Sequence, residues 1–139
     1  MPKPETPLLT VDAVILYEDN KVVLIRRKNP PYQGELALPG GFVDIGETVE
    51  NACIREAREE TNLKVKINKL IGVFSHPKRD PRGHTVSIAF LCEPVDKESN
   101  PKALDDAASL EFMPISKISS LTMAFDHLDI IRASGLIPK

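Results

Sequence analysis

The chain has 139 residues, of which 42% are hydrophobic and 27% are charged, and its formal net charge is −2. This length fits a single domain over residues 1–139 with one hydrophobic core. The slightly acidic balance argues against a nucleic-acid-binding surface, and no apolar run is long enough to cross a membrane.

The first half of the chain predicts strands followed by one helix. Strand-forming residues dominate three segments, namely 8–17, 21–27 and 36–43. A short polar turn separates the first two, which should form a hairpin, and the third contains the bend at Pro39-Gly40-Gly41. Thr48 is a suitable N-cap for a helix that ends near Thr61.

The second half predicts further strands and a helical region near the C-terminus. In chain order, the predicted elements are strands over 65–75, 85–95 and 110–113, a helical turn over 114–121 and a helix over 125–134. A polar loop over 76–84 joins the first two strands, and a charged loop over 96–106 precedes the third. These elements predict an α/β fold in which a mixed sheet lies between helices.

The acidic residues at the end of the first predicted helix lie on the face that the helix should bury. At about 100° per residue, with Glu56 at zero, Glu60 lies near +40°, Glu59 near −60° and Val49 near +20°. Glu56 and Glu60 are like charges at spacing i,i+4, which destabilises a solvated helix but suits a divalent cation. The alternative is charge pairing on a wet surface, for example between Arg55 and Glu59.

Segment 40–63, with the sequence GGFVDIGETVENACIREAREETNL, resembles the Nudix box. The matching positions are Gly41, Glu47, Arg55, Glu56, Glu59, Glu60 and Leu63. Asn62 stands where the family has Gly, and Asn is the non-Gly residue that best tolerates the left-handed conformation at a helix end. The resemblance covers nearly the whole chain and implies a Nudix-type α/β/α sandwich.

The resemblance also implies a Mg²⁺ site, at which Mn²⁺ can substitute. The ligands implied by position are Glu56, Glu59, Glu60 and the carbonyl of Gly40. Arg55 is expected to hold either a ligand carboxylate or Glu47 by paired hydrogen bonds, although a plain surface ion pair is the simpler alternative.

The reaction implied by the family is attack of water on a phosphorus atom of a diphosphate, which requires a general base. Family members often supply this base from a loop beyond the box. Asp105, Asp106 and Glu111 are the candidates here, and each is also a plausible solvated loop acid or turn residue. Glu59 or Glu60 is an alternative base.

Three motifs outside or overlapping the box resemble the ADP-ribose pyrophosphatase branch of the family: LPGGFVDIGE, SHPKRDPRGHTVSIAF and AFDH. The substrate-binding candidates are Arg27, Tyr32, Phe42, Arg79, Arg82 and His84. The basic residues suit phosphate or ribose hydroxyls, with a solvent-exposed basic turn as the alternative. Tyr32 or Phe42 can stack on adenine, although Phe42 fits the core better. His127 either contacts the ligand or caps a buried carbonyl.

The leading hypothesis is Mg²⁺-dependent hydrolysis of ADP-ribose to AMP and ribose 5-phosphate. Two alternatives remain: a Nudix pyrophosphohydrolase of nucleoside triphosphates or oxidised nucleotides, and a non-catalytic module that senses ADP-ribose. The intact set of acids argues against the second alternative. We expect a cytoplasmic homodimer that binds neither nucleic acid nor membrane. Cys53 and Cys92 should be buried free thiols.

Overall fold

In the computed structural model, which describes residues 2–96 and 100–138, the chain forms seven strands and three helices. The strands are β1 (Leu8–Tyr17), β2 (Lys21–Arg27), β3 (Leu36–Ala37), β4 (Gly40–Phe42), β5 (Val65–Phe74), β6 (Thr85–Pro94) and β7 (Ala107–Pro114). The helices are α1 (Val49–Thr61), α2 (Ile115–Ile118) and α3 (His127–Ala133). The predicted order of elements is confirmed, and the predicted charged loop over 96–106 lies partly outside the described residues.

Three of the differences between the predicted and the observed boundaries have a physical reason. The segment 36–43 contains two short strands instead of one, because β3 pairs with β2 whereas β4 pairs with β1. The last strand begins at Ala107, because it follows β2 along most of its length. The final helix begins at His127, because Phe125 has a φ of 52° and cannot belong to a right-handed helix.

The sheet is mixed, since β1 and β6 run parallel and the other pairs are antiparallel. The strand order is β3-β2-β1-β6-β5, with β4 also paired to β1 and β7 to β2. The first part of β1 pairs with β4, which places Gly40 opposite Asp12 and Gly41 opposite Val11. The glycine bend is therefore fixed against the centre of the sheet.

The side chains of β1 alternate between two cores. Val11 and Ile15 pack with Ala52 of α1 on one face of the sheet, whereas Val14 packs with Ile130 of α3 on the other. Helices thus cover both faces, which confirms the predicted α/β/α arrangement. In the part of the chain that the structure describes, no helix is long and apolar enough to cross a membrane.

Helix α1 begins and ends at the predicted residues. The Thr48 side chain accepts a hydrogen bond from the Asn51 N–H at 3.1 Å, so it caps the first turn. Asn62 has a φ of 60° and donates its N–H to the Arg58 carbonyl. Asn62 therefore performs the terminating role for which glycine is usual.

The two cysteines lie in the core on the α1 side. Cys53 and Cys92 are buried free thiols, as predicted, and their sulfur atoms are in contact at 3.8 Å without forming a disulfide. The contact with Cys92 and burial both raise the pKa of the Cys53 thiol. Cys53 is therefore protonated and unreactive at neutral pH.

Candidate active site

A cleft of about 330 Å³ is lined by residues of β1, β2, β4 and α1, by the loop over 76–84 and by the start of α3. The predicted site residues that line it are Gly40, Glu56, Glu60, Arg27, Phe42, Arg79, Arg82 and Asp106. Tyr32, Glu47, Arg55, Glu59, His84 and Asp105 do not line it. The cleft has an acidic side at α1, and its other polar residues include three arginines.

The acidic side is formed by Glu56 and Glu60, one helical turn apart on α1. Glu60 is buried and accepts a hydrogen bond from the Gly40 N–H at 3.2 Å, and the side chain of Glu56 is 13% exposed. Burial, followed by the charge of Glu56, raises the pKa of Glu60 to about 9. Burial also raises the pKa of Glu56, against the opposing effect of Arg55. Without a cation, this pair of carboxylates retains a proton at neutral pH.

The paired glycines allow the backbone to approach these acids closely. A Cβ on Gly41 would lie 2.6 Å from the Glu56 carboxylate, and a Cβ on Gly40 would lie 2.2 Å from the Val11 carbonyl oxygen. A side chain at Gly40 would press on the backbone of the sheet, whereas one at Gly41 would displace the end of the Glu56 side chain. Glycine at both positions therefore leaves the backbone and the Glu56 carboxylate where they are.

The donor set suits a hard divalent cation. Mg²⁺ binds oxygen ligands, usually keeps several waters and takes one or two carboxylates together with phosphate oxygens. Within residues 2–96 and 100–138, no three His, Cys, Asp or Glu side chains converge enough to hold a metal by themselves. Glu56 and Glu60, with the carbonyl of Gly40, fit a site that water and substrate complete.

Arg55 connects the helix to the loop before it. Its Nε and Nη2 donate to both oxygens of Glu47 at 2.7 and 2.9 Å, and its Nη1 donates to Glu56 at 2.7 Å. Nη2 also donates to the Phe42 carbonyl at 3.0 Å. These hydrogen bonds lower the pKa of Glu47 to about 2, so Glu47 remains ionised. The expected contacts of Arg55 are present, and they fix the orientation of Glu56 from outside the cleft.

The expectation that three acids of α1 point inward is wrong for Glu59. Its side chain is 45% exposed and is held at the rim by Arg55 Nη1 at 3.1 Å. Its angle on the helix, about 60° from Glu56 and opposite in sense to Glu60, turns it toward solvent. Its role as a metal ligand stays a prediction that requires it to leave Arg55.

A buried polar network in the wall of the cleft includes Asp12, which the sequence interpretation missed, and His127, whose role it left open. Asp12 of β1 accepts a hydrogen bond from Ser87 Oγ at 2.5 Å and lies 3.4 Å from His127 Nε2. His127 Nδ1 accepts from the Leu38 N–H at 2.9 Å, so Nε2 carries the ring proton. Burial raises the pKa of Asp12 and lowers that of His127. A single acid inside the apolar run LLTVDAVILY was the available signal.

Arg79, a predicted substrate residue, belongs largely to this network. Its Nε and Nη2 donate to Asp126 at 2.9 and 2.6 Å, and its Nη1 donates to Thr85 at 3.2 Å. Its side chain is only 5% exposed. Three of its five N–H groups are thus committed inside the protein, which leaves less for a ligand than predicted. His84 is exposed, with Nε2 3.0 Å from the Ser75 carbonyl oxygen.

Two aromatic residues and two arginines lie around the opening of the cleft. Phe42 is 42% exposed, so the expectation that it belongs to the core is wrong. The Arg82 guanidinium lies 5.7 Å from the Phe42 ring centroid and 5.6 Å from that of Phe125. Arg27 lies 5.0 Å from the Phe125 ring. Tyr32 packs its ring edge against Phe125 at 4.8 Å, outside the cleft lining.

The three candidate general bases differ in whether they line the cleft. Asp106 lines the cleft and is close enough to Glu56 and Glu60 to raise the pKa of both. Asp105 is exposed and does not line it. Glu111 forms a 2.5 Å ion pair with Arg26 away from the cleft. Asp106 is thus the loop acid best placed to meet a water in the cleft.

The model of the NUDIX domain matches residues 6–133 of the chain. The chain is 50% identical over 126 residues to an ADP-ribose pyrophosphatase from Methanocaldococcus jannaschii, a match that covers 91% of this chain and 72% of that relative. It spans about half the length of other curated relatives that it matches.

Two solved structures with bound nucleotides are similar to this chain. The bifunctional NMN adenylyltransferase/ADP ribose pyrophosphatase from Francisella tularensis, complexed with AMP and Mn ion, matches with a TM-score of 0.82 and 30% identity over 97% of this chain and 43% of that one. The NUDIX domain of Shewanella oneidensis NrtR, complexed with ADP ribose, matches with a TM-score of 0.80 and 27% identity over 94% of this chain and 88% of that one.

Proposed function

The chain belongs to the Nudix family, and we therefore propose that it hydrolyses ADP-ribose to AMP and ribose 5-phosphate with the help of Mg²⁺. The observation that carries this proposal is the placement of Glu56 and Glu60, which face a cleft that also contains arginines. The identity of 50% to an ADP-ribose pyrophosphatase supports the choice of substrate. Residues 1–139 then form one hydrolase domain.

The residues that would hold Mg²⁺, or Mn²⁺ in its place, are Glu56, Glu60 and the Gly40 carbonyl, with Glu59 as a further ligand. When bound, the metal supplies charge neutralisation on the diphosphate and a lower pKa for the attacking water. Arg55 orients Glu56 and keeps Glu47 ionised. Asp106 faces the cleft and accepts the proton of the attacking water.

Substrate binding falls to the arginines and the aromatic residues that line the cleft. Arg27 and Arg82 meet the diphosphate, and the exposed Phe42 ring provides a face on which adenine stacks. Arg79 contributes mainly charge, since most of its donors are used by Asp126 and Thr85. Tyr32 supports the site through its contact with Phe125.

A substrate panel tests the proposed function. With Mg²⁺, we expect AMP release from ADP-ribose to exceed hydrolysis of nucleoside triphosphates and 8-oxo-dGTP, and excess EDTA to abolish it. Faster turnover of the triphosphates would favour the housekeeping alternative. Binding of ADP-ribose without turnover of any substrate would favour the sensing alternative, and full activity in excess EDTA would refute the metal mechanism.

Single substitutions test the roles assigned to Glu60 and Asp106. Glu60→Gln should lower kcat by several orders of magnitude, on the order of 10³ or more, because it removes a charged ligand. Asp106→Asn should lower kcat by about 10²–10⁴ if Asp106 is the base. Glu50→Gln is the matched control, since Glu50 is exposed in the first turn of α1. A near-normal rate for Glu60→Gln would remove Glu60 from the metal site.

We further propose that the protein is a cytoplasmic homodimer that binds no nucleic acid. Among the strands of residues 2–96 and 100–138, β5 pairs only with β6, and it exposes Leu70 and Val73, which gives a second copy an apolar edge to cover. The net charge of −2 disfavours nonspecific attraction to nucleic acid. Light scattering coupled to size-exclusion chromatography distinguishes a dimer from a monomer, which would refute the proposed assembly.

A further inference from the structure

Phe125 adopts a backbone conformation that its side chain makes unfavourable. Its φ is 52°, in the left-handed region where glycine and asparagine are common and bulky residues are rare. Such strain persists where the surrounding structure imposes it, and it concentrates at functional sites. The residue lies just before α3 and lines the cleft. Backbone preference does not explain a phenylalanine here, so the explanation must lie in the ring.

The ring of Phe125 contacts four side chains. Tyr32 meets it edge-on at 4.8 Å and His127 is tilted against it at 5.1 Å, which together fix its position. The Arg27 and Arg82 guanidinium carbons lie 5.0 and 5.6 Å from its centroid. Both distances fall within the range of about 6 Å for attraction between a cation and an aromatic face. One ring therefore holds two like-charged groups near each other.

The two cations are not equally neutralised. Arg82 forms an ion pair with the buried Asp80, whose carboxylate accepts from Arg82 Nε and Nη2 at 3.1 and 2.8 Å. Arg27 donates its Nε to the Pro31 carbonyl at 2.6 Å and forms no ion pair in the part of the chain that the structure describes. Burial and the charge of Arg82 lower the pKa of Arg27. The pair therefore carries positive charge that an anion in the cleft would neutralise.

We propose that Phe125 is a positioning residue that holds Arg27 and Arg82 as a clamp for the diphosphate of the substrate. The clamp rests on the function proposed above, because it assigns the diphosphate of that substrate to these two arginines. Phe125 does not touch the reacting atoms and acts through the two guanidinium groups. Loss of its ring should therefore weaken substrate binding and leave the chemical step nearly intact.

The kinetic test compares Phe125→Leu with Phe125→Tyr. Phe125→Leu keeps an apolar side chain and loses the ring face, so KM for ADP-ribose should rise about tenfold, the effect of two cation–aromatic contacts. The kcat should stay within about threefold, and Phe125→Tyr should keep the wild-type KM. The matched control is Phe112→Leu, since Phe112 stacks on Tyr17 at 4.9 Å and does not line the cleft. It should lower stability without raising KM.

A double-variant comparison separates positioning from simple packing. In a background that carries Arg27→Ala and Arg82→Ala, Phe125→Leu should change KM by less than about twofold, because the groups it positions are absent. A rise in KM as large as in the wild-type background would overturn the proposal, as would an unchanged KM for Phe125→Leu itself. If Phe125→Leu does not fold, Phe125→Met serves in the same comparisons with the same expectations.

Binding of inorganic pyrophosphate to the metal-free protein, measured by calorimetry, distinguishes failure of the clamp from failure of the proposed function. Phe125→Leu should bind pyrophosphate about tenfold more weakly than the wild type, for the same loss of two contacts. If the wild type does not hydrolyse ADP-ribose but this difference is found, the substrate assignment fails and the clamp stands. Equal binding by the two proteins overturns the clamp whatever the enzyme hydrolyses.

Discussion

Replacing Gly41 with alanine should separate activity from stability. A Cβ at this position would lie 2.6 Å from the carboxyl carbon and one oxygen of Glu56, and 2.7 Å from the other oxygen. Gly41 has no positive φ, so its backbone conformation is open to alanine. The methyl group thus acts on one neighbour, the carboxylate that we assign to the metal.

The size of the displacement follows from these contacts. Ordinary contact begins at 3.4 Å, so the Glu56 carboxylate must move by about 0.8 Å or rotate away. Mg²⁺ requires ligand distances of about 2.0–2.1 Å in near-octahedral geometry, and a misplacement of about 1 Å at a reacting centre costs about 10²-fold in rate. We therefore expect kcat to fall by about 10²-fold for Gly41→Ala. The unfolding free energy should change by less than about 1 kcal/mol, because the end of a flexible side chain can move.

Two other glycines provide the controls. At Gly40, a Cβ would lie 2.2 Å from the Val11 carbonyl oxygen and 3.1 Å from the Asp12 Cα, so alanine must displace backbone within the sheet. Gly40→Ala should therefore lower both activity and thermal stability. At Gly72, the nearest atom would lie 3.7 Å away, which is ordinary contact, and Gly72→Ala should change neither.

The assay combines AMP release at saturating Mg²⁺ with thermal unfolding of the same preparations. Normal turnover by a well-folded Gly41→Ala protein would refute the reasoning, because Glu56 could then not be a ligand in the position described. A loss of stability equal to that of Gly40→Ala would mean that the loop, and not the carboxylate, had moved. Partial recovery with Mn²⁺, which can substitute for Mg²⁺ at the proposed site, would support displacement of a ligand.

Three further predictions concern charge and hydrogen bonding. Arg55→Lys loses the two hydrogen bonds by which the guanidinium holds Glu47. The Mg²⁺ concentration for half-maximal rate should therefore rise about 10–100-fold. An unchanged Mg²⁺ titration would count against a positioning role for Arg55. The pKa of Glu60 is raised to about 9, so its contribution to the stability of the metal-free protein is fully present below its ordinary pKa of 4.5 and is lost as the pH rises toward 9. Glu60→Gln should flatten this pH dependence of stability in thermal unfolding. It should also abolish the release of one proton that we expect when the wild type binds Mg²⁺, which calorimetry in two buffers would detect. His127→Ala leaves the Leu38 N–H without its acceptor and should lower the free energy of unfolding by about 1–3 kcal/mol in a denaturant titration. His127→Asn keeps a polar side chain and should lower it less. Equal losses would contradict the assigned ring orientation.

The helix acids were predictable because their signal is local. The spacing of Glu56 and Glu60 on an amphipathic helix fixes the face they share, and on that face Glu60 is buried and Glu56 is half-buried. The same reasoning failed for Glu59, because a helical projection does not show how much of the surface of α1 the neighbouring elements cover. Thr48 and Asn62 were predictable as caps for the same local reason.

The rest of the site depends on contacts between distant segments. Phe42 has the large hydrophobic side chain of a core residue, but the glycine bend turns it toward solvent. Arg79 and His84 lie five residues apart in one loop, yet only Arg79 enters the cleft, because Asp126 holds it there from 47 positions away. Sequence spacing cannot supply such pairings. Asp12 could have been predicted from the sequence alone. An isolated acid in a buried strand needs hydrogen-bonding partners, so its position indicates a buried polar network.

The acidic side of the cleft is stable only because other parts of the chain compensate for it. Two carboxylates one turn apart, in a partly buried site, repel each other and resist ionisation, as the raised pKa values of Glu56 and Glu60 indicate. Arg55 neutralises one of them, and the Gly40 N–H stabilises the other. Two carboxyl groups that can ionise together only at a cost contribute nothing to folding that an apolar pair would not provide better. The proposed binding of a cation and a diphosphate therefore accounts for the placement of this pair beside the two glycines, which the stability of the fold does not explain.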